Sequence, residues 1–299
     1  MIDGIINIYK EKGYTSHDVV AKLRGILKQK KIGHTGTLDP DAEGVLPVCL
    51  GKATRLCEFL TDKVKTYETV MRLGLSTDTQ DISGTVLKER DVTVSEQQLR
   101  EIVSSMLGDS MQIPPMFSAI KVNGKKLYEL AREGVEIERK PRPITVYELE
   151  ILSIEFPYVS MRITCSKGTY IRTICHDIGE KAGCGACMAK LTRTKVSCFD
   201  IKDSVTLARV EELRDNGTLP DHVVSVEKML EEYPAVKALP AGDKLLHNGN
   251  SIFTSQIAMK HVTGKKDMRV RMYDSTGLFI GIYYFENDRR LKPFKMFLS

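Results

Sequence analysis

IGHTGTLDPDAEGVLPVCLGKATR, residues 32–55, is the stretch around which this 299-residue chain is organised. Its four glycines and two prolines argue against a continuous helix or strand. We interpret Gly33–Gly36 as a tight loop that leads to three acidic residues, Asp39, Asp41 and Glu43, before an apolar run ties the loop to a core. Two interpretations stay open on these residues: a functional loop that presents a carboxylate, or an Asp-Pro turn with solvated carboxylates.

Length and composition indicate a soluble protein with one large and one small domain. The chain exceeds the usual size of a single domain, and 42% of its residues are hydrophobic. Its N-terminus shows no signal-peptide pattern, and no apolar run reaches membrane-spanning length. Seven cysteines in such a chain favour reduced thiols. We therefore expect a cytoplasmic protein that does not engage a membrane.

The charge distribution suggests an anionic partner. Residues 1–33 hold seven basic against three acidic side chains, and residues 236–299 hold eleven against five. Residues 200–232, in contrast, hold four basic against nine acidic side chains. Basic regions at both ends could contact nucleic acid at two separated places, although scattered surface lysine would give the same totals.

Periodicity predicts an α+β chain. Alternation predicts strands at 5–9, 67–75, 144–156, 159–165, 269–273, 278–286 and 292–298, with 84–91 as the partner of 67–75. Helical spacing with capping boxes at Thr15 and Ser95 predicts two helices, and further helices are expected after Gly168 and over 226–232. Residues 121–142, with seven basic and four acidic side chains, are expected to form an exposed arm.

Arg172 is unusual because it lies near the start of a predicted helix, off the apolar stripe formed by Ile171, Ile174 and Ile178. A positive charge is unfavourable at that end of the helix dipole, so another partner would justify it. An ordinary surface arginine is the alternative.

Familiar cofactor and metal motifs are missing from the sequence. Walker, dinucleotide-binding, zinc-protease and serine-hydrolase patterns do not occur. Cys184 and Cys187 form a C-x-x-C pair without a second ligand pair, which favours small buried thiols over a zinc site.

Residues 33–47 closely resemble the catalytic motif of the TruB family of tRNA pseudouridine synthases. Five further stretches resemble family motifs in the same order, covering about residues 10–195. They are Lys10 to Ser16, Lys65-Thr-Tyr67, residues 114–134, Cys165 to Arg172, and Leu191-Thr-Arg-Thr.

The resemblance implies a pseudouridine synthase fold, with a mixed, largely antiparallel central sheet and flanking helices. It also implies a catalytic domain over residues 1–233, an RNA-contacting insertion at about 112–143, and a small β-rich, PUA-like domain over 234–299.

The same resemblance assigns the site residues. Asp39 corresponds to the essential aspartate, leaving Asp41 and Glu43 as turn residues, and Arg172 would pair with Asp39 and keep it ionised despite burial. Tyr67 would stack on the uracil and could act as a general base. His34 would fill the space left by a flipped base, Lys10 would support the loop, and Leu191 would line the pocket.

The implied reaction converts one uridine in the T-loop of tRNA, position 55, to pseudouridine, with base flipping and no cofactor. Asp39 would act as a nucleophile or promote glycal formation, and the sequence does not decide between these routes. The expected enzyme is a monomer that needs no guide RNA. The alternatives are a non-catalytic tRNA-binding or RNA-folding protein, and a carboxylate glycosidase acting on small nucleosides.

Overall fold

The computed structural model describes residues 1–61, 63–258 and 264–298. The predicted domains 1–233 and 234–299 also include positions 62, 259–263 and 299, which lie outside the described residues.

The helices are α1 (Ser16–Leu27), α2 (Cys57–Thr61), α3 (Glu96–Ser104), α4 (Leu127–Arg132), α5 (Ile171–Lys181), α6 (Leu207–Asp215) and α7 (Pro240–His247). The strands are β1 (Gly4–Lys10), β2 (Ile32–His34), β3 (Glu43–Leu50), β4 (Lys65–Leu73), β5 (Leu75–Thr77), β6 (Val86–Glu89), β7 (Gly108–Gln112), β8 (Lys121–Val122), β9 (Lys125–Lys126), β10 (Arg142–Glu155), β11 (Tyr158–Cys165), β12 (Ala186–Val196), β13 (Phe199–Asp200), β14 (Val223–Val224), β15 (Ala235–Ala238), β16 (Ile252–Phe253), β17 (Ile257–Ala258), β18 (Arg269–Tyr273), β19 (Phe279–Asn287) and β20 (Arg290–Met296).

A ten-stranded sheet organises the N-terminal part of the chain. Its order is β14-β1-β3-β12-β4-β11-β10-β7, with β2 beside β3 and β13 beside β12. β3 and β12 run parallel, whereas the other described strand pairs of this sheet are antiparallel. The late strand β12 therefore lies between two strands made much earlier, β3 and β4.

Helices cover the sheet where its strands present apolar side chains. α1 and α6 pack over β1 and β3 in a buried cluster that contains Ile6, Ile8, Val19 and Val210. α3 and α5 pack over β4, β10 and β11 in a second cluster, through residues such as Leu99, Val103, Ile174 and Ile178. Because strand side chains alternate between faces, Ile5 points away from Ile6 and Ile8 and joins a third cluster.

Local sequence signals set several element ends as predicted. The Thr15 side chain accepts a hydrogen bond from the Asp18 N–H, and the Asp18 carboxylate accepts one from the Thr15 N–H, so α1 begins with the predicted capping box. Ser95 and Gln98 do the same for α3. Residues 121–126 form a hairpin, whose two turn residues, Asn123 and Gly124, both have positive φ.

The C-terminal part forms a separate six-stranded sheet in the order β16-β20-β19-β18-β15-β17. It has its own apolar core, and Ile282 on β19 and Phe297, which follows β20, join the cluster that contains Ile5 and Val45. Arg55 Nη1 also donates a hydrogen bond to the Met296 carbonyl. The predicted α+β class, with a large mixed sheet and a smaller β-rich unit, is confirmed.

Two local predictions are wrong. Residues 84–91 do not pair with the long strand: β6 pairs with β5, while β4 lies between β11 and β12. The reason is Gly74, whose φ of 82° ends β4 and redirects the chain into the β5–β6 hairpin. The predicted helix over 226–232 contains only the 3-10 turn Lys228–Leu230, because little length remains for a helix before Pro234.

Candidate active site

Asp39 opens a tight turn whose main chain is held from several directions. The Ala42 N–H donates to the Asp39 carbonyl at 3.1 Å, which closes a β-turn with Pro40 in its favoured second position. The Pro40 carbonyl in turn accepts from Lys10 Nζ at 3.2 Å and from the Gly13 N–H at 2.9 Å. The turn is therefore fixed to the end of β1 and the segment that follows it.

Leu38, directly before Asp39, is fixed separately. Its N–H donates to Ser16 Oγ at 2.9 Å, and its side chain is buried in the sheet's core cluster. Ser16 is the first residue of α1, so the capped helix end positions the loop. By contrast, the Asp39 side chain is 46% exposed. The expectation of a buried carboxylate is wrong, because the turn places Asp39 at the surface of the site.

Arg172 joins three separate segments from the first turn of α5. Its guanidinium Nη2 lies 3.1 Å from Asp39 Oδ2, so the structure brings the predicted pair together. Nη1 donates to the Thr79 carbonyl at 3.0 Å, and Nη2 donates to the Phe117 carbonyl at 3.0 Å. The side chain is only 6% exposed, so the alternative of a surface arginine is wrong. Burial follows because the loop after β5 and the segment around Phe117 both close over this end of α5.

Asp81 is a second carboxylate partner of Arg172 that sequence reasoning missed. Its Oδ2 lies 3.5 Å from Arg172 Nη1. Its other oxygen accepts hydrogen bonds from Thr79 Oγ1 at 2.9 Å and Ser83 Oγ at 2.6 Å. The Thr-Gln-Asp-Ile-Ser-Gly sequence at 79–84 signals such a polar turn, but nothing local signals that it faces Arg172.

Tyr67 lies on β4, directly opposite Arg193 of β12. Its side chain is buried, and the Arg193 guanidinium interacts electrostatically with its phenol. Burial raises the pKa of the Tyr67 phenol above its usual value, and the positive charge of Arg193 opposes that rise. Arg193 belongs to the Leu-Thr-Arg-Thr motif, but no local pattern assigns it a role.

Lys10 and His34 lie on either side of the loop. Lys10 is fully buried, and burial lowers the pKa of its ammonium from 10.5 to about 8. His34 Nδ1 accepts from the Gly36 N–H at 3.3 Å, and its ring packs edge-on against His17 with centroids 5.1 Å apart. Burial, followed by the nearby His17, lowers the pKa of His34. His34 is thus held as a neutral ring beside the loop.

The remaining predicted residues, Leu191, Asp41 and Glu43, lie in different parts of the site. Leu191, on β12, is buried in the same cluster as Leu38 and Tyr67. Asp41 is an exposed turn residue, 3.9 Å from Lys12 Nζ. Glu43 was predicted to be a turn residue, and this prediction is wrong. Glu43 begins β3, where Lys190 Nζ lies 3.2 Å from its carboxylate.

Cys184 and Cys187 are buried, as predicted for structural thiols. Within residues 1–61, 63–258 and 264–298, no group of three or more His, Cys, Asp or Glu side chains is arranged to hold a metal. No helix in the same ranges is long and apolar enough to cross a membrane.

Solved structures with this architecture define the class of protein. The chain aligns over 99% of its length with a chain of a crystal structure of a Cbf5-Nop10-Gar1 complex, covering 85% of that chain at 28% identity and a TM-score of 0.74. It also aligns with a chain of an H/ACA RNP bound to a substrate RNA containing 2'-deoxyuridine. That alignment covers 99% of this chain and 85% of the other, at 26% identity and a TM-score of 0.72. The predicted pseudouridine synthase fold is confirmed.

Sequence comparison gives the family. Residues 24–171 match the model of the TruB family pseudouridylate synthase N-terminal domain, and residues 172–231 match the tRNA pseudouridylate synthase B C-terminal domain. Proteins named tRNA pseudouridine synthase B from Lachnoclostridium phytofermentans and Clostridium kluyveri are 52% and 44% identical, with 99% of this chain and 100% of each relative covered. This chain belongs to the TruB family of pseudouridylate synthases. The predicted family and enzyme class, an isomerase that makes pseudouridine, are confirmed.

Proposed function

We propose that this enzyme isomerises the uridine at position 55, in the T-loop of tRNA, to pseudouridine. The observation that carries the proposal is the half-exposed Asp39 carboxylate, fixed by its turn and paired at 3.1 Å with the buried Arg172, in a chain of this family. The names of its relatives support tRNA as the substrate.

In the proposed reaction the target uridine is flipped out of the T-loop so that its C1′ reaches Asp39. The N1–C1′ bond breaks, the uracil turns, and C5 bonds to C1′, while the proton on C5 moves to N1. Asp39 acts either as the nucleophile at C1′ or by promoting a glycal. Substrate and product are isomers, so the balance of atoms requires no cofactor.

The other site residues have supporting roles in this proposal. Tyr67 stacks on the uracil and takes part in proton transfer, Leu191 packs beside it, and His34 occupies the space that the flipped base leaves. Lys10 supports the turn that carries Asp39. Two buried contacts support these assignments. Lys10 donates to the Pro40 carbonyl in the turn that carries Asp39, and Leu191 lies in the same apolar cluster as Tyr67.

Basic surfaces would hold the RNA. Arg24, Lys28, Lys30 and Lys31 are exposed at the end of α1, close in sequence to the loop. The insertion, proposed at about residues 112–143, exposes Lys121, Lys125, Arg132, Lys140 and Arg142. Phosphate contacts of this kind position RNA and weaken with added salt. We further propose that residues 1–233 form the catalytic domain and 234–299 a PUA-like RNA-binding domain.

The enzyme is proposed to act in the cytoplasm, as a monomer and without guide RNA. The relatives named tRNA pseudouridine synthase B match at 42–52% identity, well above the 26–28% of the two guide-RNP chains. That difference favours an enzyme that recognises tRNA directly.

The test measures pseudouridine in unmodified tRNA and in a T-arm stem-loop, with the modified position mapped by mass. Wild type should convert position 55 without added cofactor, and Asp39→Asn should bind the RNA but lose turnover. Asp41→Asn is the matched control, because Asp41 is an exposed carboxylate in the same turn. Normal turnover by Asp39→Asn would refute the assignment. Binding without any pseudouridine from wild type would favour an RNA-binding protein, and release of free uracil would favour a glycosidase.

A further inference from the structure

Arg193 is the largest side chain buried to below 2% exposure in the described residues. It lies on β12 between two partners, since it is opposite Gly44 in the parallel pair with β3 and opposite Tyr67 in the antiparallel pair with β4. The β4 pairing has a bulge immediately afterwards, between Arg193 and Lys195. Bulges of this kind redirect side chains next to functional sites.

The guanidinium of Arg193 contacts main-chain carbonyls and one phenol. Nε donates to the Val45 carbonyl at 2.7 Å, while Nη1 and Nη2 reach the Thr37 and Gly36 carbonyls at 3.4 and 3.5 Å. The guanidinium also interacts electrostatically with the Tyr67 phenol, which lies opposite it across the β4–β12 pair. Among the described residues, no carboxylate lies within ion-pair distance of it.

A buried cation without a carboxylate is costly, because carbonyl dipoles replace only part of its hydration. Tyr67, opposite Arg193 on β4, is an ionisable group that can become an anion and so balance this charge. The residues that Arg193 reaches also belong to two parts of the site: Gly36 and Thr37 precede Asp39, and Tyr67 on β4 interacts electrostatically with Asp39.

We propose that Arg193 is a positioning residue for pseudouridine formation: it fixes the Tyr67 hydroxyl relative to the Gly36–Thr37 main chain, and its charge stabilises the Tyr67 oxygen as an anion. This inference rests on the proposed function, in which Tyr67 takes part in proton transfer.

The proton transfer balances within the site. Once C5 has bonded to C1′, the Tyr67 phenolate takes the proton from C5 and becomes a phenol. The C5–H electron pair forms the C5–C6 double bond, and the electrons of the N1–C6 double bond move to N1. N1 then takes a proton from the Tyr67 hydroxyl, directly or through water, which restores the phenolate. The net change moves one proton from C5 to N1, with no oxidant, reductant or co-reactant.

Burial raises the pKa of Tyr67, and charged or titratable groups on three neighbouring segments of the described structure modify it. Arg193 on β12 lowers this pKa, whereas Cys165 on β11 and Asp39 on the loop raise it. Arg193 is the positive one among them. Removing its charge should therefore reduce the fraction of phenolate at any given pH.

The experiment compares wild type with Arg193→Met, which keeps the apolar part of the side chain but removes the guanidinium and its charge. Single-turnover pseudouridine formation in unmodified tRNA should fall about 100-fold, as when one donor to a developing anion is lost. Affinity for tRNA should stay within about threefold, because phosphate contacts dominate it. Arg162→Met is the matched control, because Arg162 is a half-exposed arginine on the neighbouring β11 that pairs with Glu68 and Glu150.

A direct titration separates electrostatic positioning from a merely structural role. The Tyr67 phenolate is followed by ultraviolet absorbance, as the difference between each protein and the same protein carrying Tyr67→Phe. In Arg193→Met the Tyr67 midpoint should rise by about 1 to 3 pH units, as expected for loss of an adjacent opposite charge. The rise of the single-turnover rate with pH should move in the same direction. Equal midpoints in the two proteins, or full turnover by Arg193→Met, would overturn the proposal.

Arg193→Lys tests the same idea if the methionine variant does not fold. It keeps the charge but loses the planar group that reaches several acceptors, so the Tyr67 midpoint should stay near that of wild type while turnover falls. Full turnover by this variant would overturn the positioning role, and a raised midpoint would overturn the electrostatic one. If wild type itself makes no pseudouridine, the proposed function fails, while the titrations still report on the Arg193–Tyr67 contact.

Discussion

Replacing Lys10 with methionine should stabilise the folded protein at neutral pH and impair the enzyme. Lys10 is fully buried, and burial lowers the pKa of its ammonium from 10.5 to about 8. That lowering means that the buried charge destabilises the folded state by about 3 kcal/mol at pH 7. The variant leaves the Pro40 and Glu11 carbonyls without this donor, which costs about 1 kcal/mol each. Lys10→Met should therefore be about 1 kcal/mol more stable than wild type at pH 7.

The pH dependence gives the sharper test. Below about pH 8, Lys10 is protonated in both the folded and the unfolded chain, so the full cost of burying its charge is present. Between about pH 8 and 10.5 the unfolded chain binds more protons, so the stability of wild type rises with pH relative to the variant. From pH 7 to 9.5 this relative gain should reach about 2 kcal/mol, which reverses the order of the two proteins.

Urea denaturation at both pH values measures the free energies of unfolding. Lys12→Met is the control, because the side chain of Lys12 is 70% exposed and its contact with Asp41 is 3.9 Å long. That variant should differ little from wild type at either pH. A Lys10→Met effect on stability that does not change with pH would refute the argument from burial.

Turnover of Lys10→Met should fall about 10- to 100-fold, because the turn that holds Asp39 loses a fixed donor and small displacements at reacting groups are costly. Single-turnover pseudouridine formation measures this loss, with Lys12→Met again as the control. Unchanged turnover would contradict the supporting role of Lys10.

Two further substitutions test the frame of the site. Asp81→Asn removes one of the two carboxylate charges that pair with Arg172. We expect turnover to fall about tenfold with tRNA affinity unchanged. Full turnover would show that Asp39 alone holds the guanidinium. Gly44→Ala should lower the free energy of unfolding by more than about 2 kcal/mol, because Gly44 has a φ of 105° and its added Cβ would lie 2.2 Å from the Arg193 carbonyl oxygen. Gly13→Ala is the control, because Gly13 has a similar φ of 91° with open space around its added Cβ. Thermal denaturation of both variants separates the steric clash from the backbone strain. Equal losses of stability in the two variants would contradict the clash.

Short-range patterns predicted the elements that carry the site. Alternation located β1 and β4, and the Thr15–Asp18 capping box located the start of α1 within one residue. These signals succeed because capping and strand alternation depend on residues that are neighbours in sequence. The choice of Asp39 among three acids came from the family motif, since turn chemistry alone treats those acids alike.

What the sequence could not supply depends on contacts between distant segments. Arg172 lies off the apolar stripe of α5, yet it is buried because the Phe117 and Thr79 carbonyls close over it. Asp81 becomes a site residue only through that closure. Arg193 faces Tyr67 only because β12 pairs with β4 in one particular register. Helix and strand periods contain no information about such registers.

The parallel contact between β3 and β12 has a consequence for the order in which the molecule is built. At this pair the Arg193 side chain donates to the Val45 carbonyl across 148 positions of sequence, so forming the contact requires closing a very long loop. The strands on either side of β12 leave the ribosome first: β3 with the Asp39 turn, and β4 with Tyr67. Until β12 is synthesised and enters between them, these two strands cannot belong to one continuous sheet. A nascent chain that ends before Leu191 thus contains Asp39, Tyr67 and Arg172 but has no assembled active site.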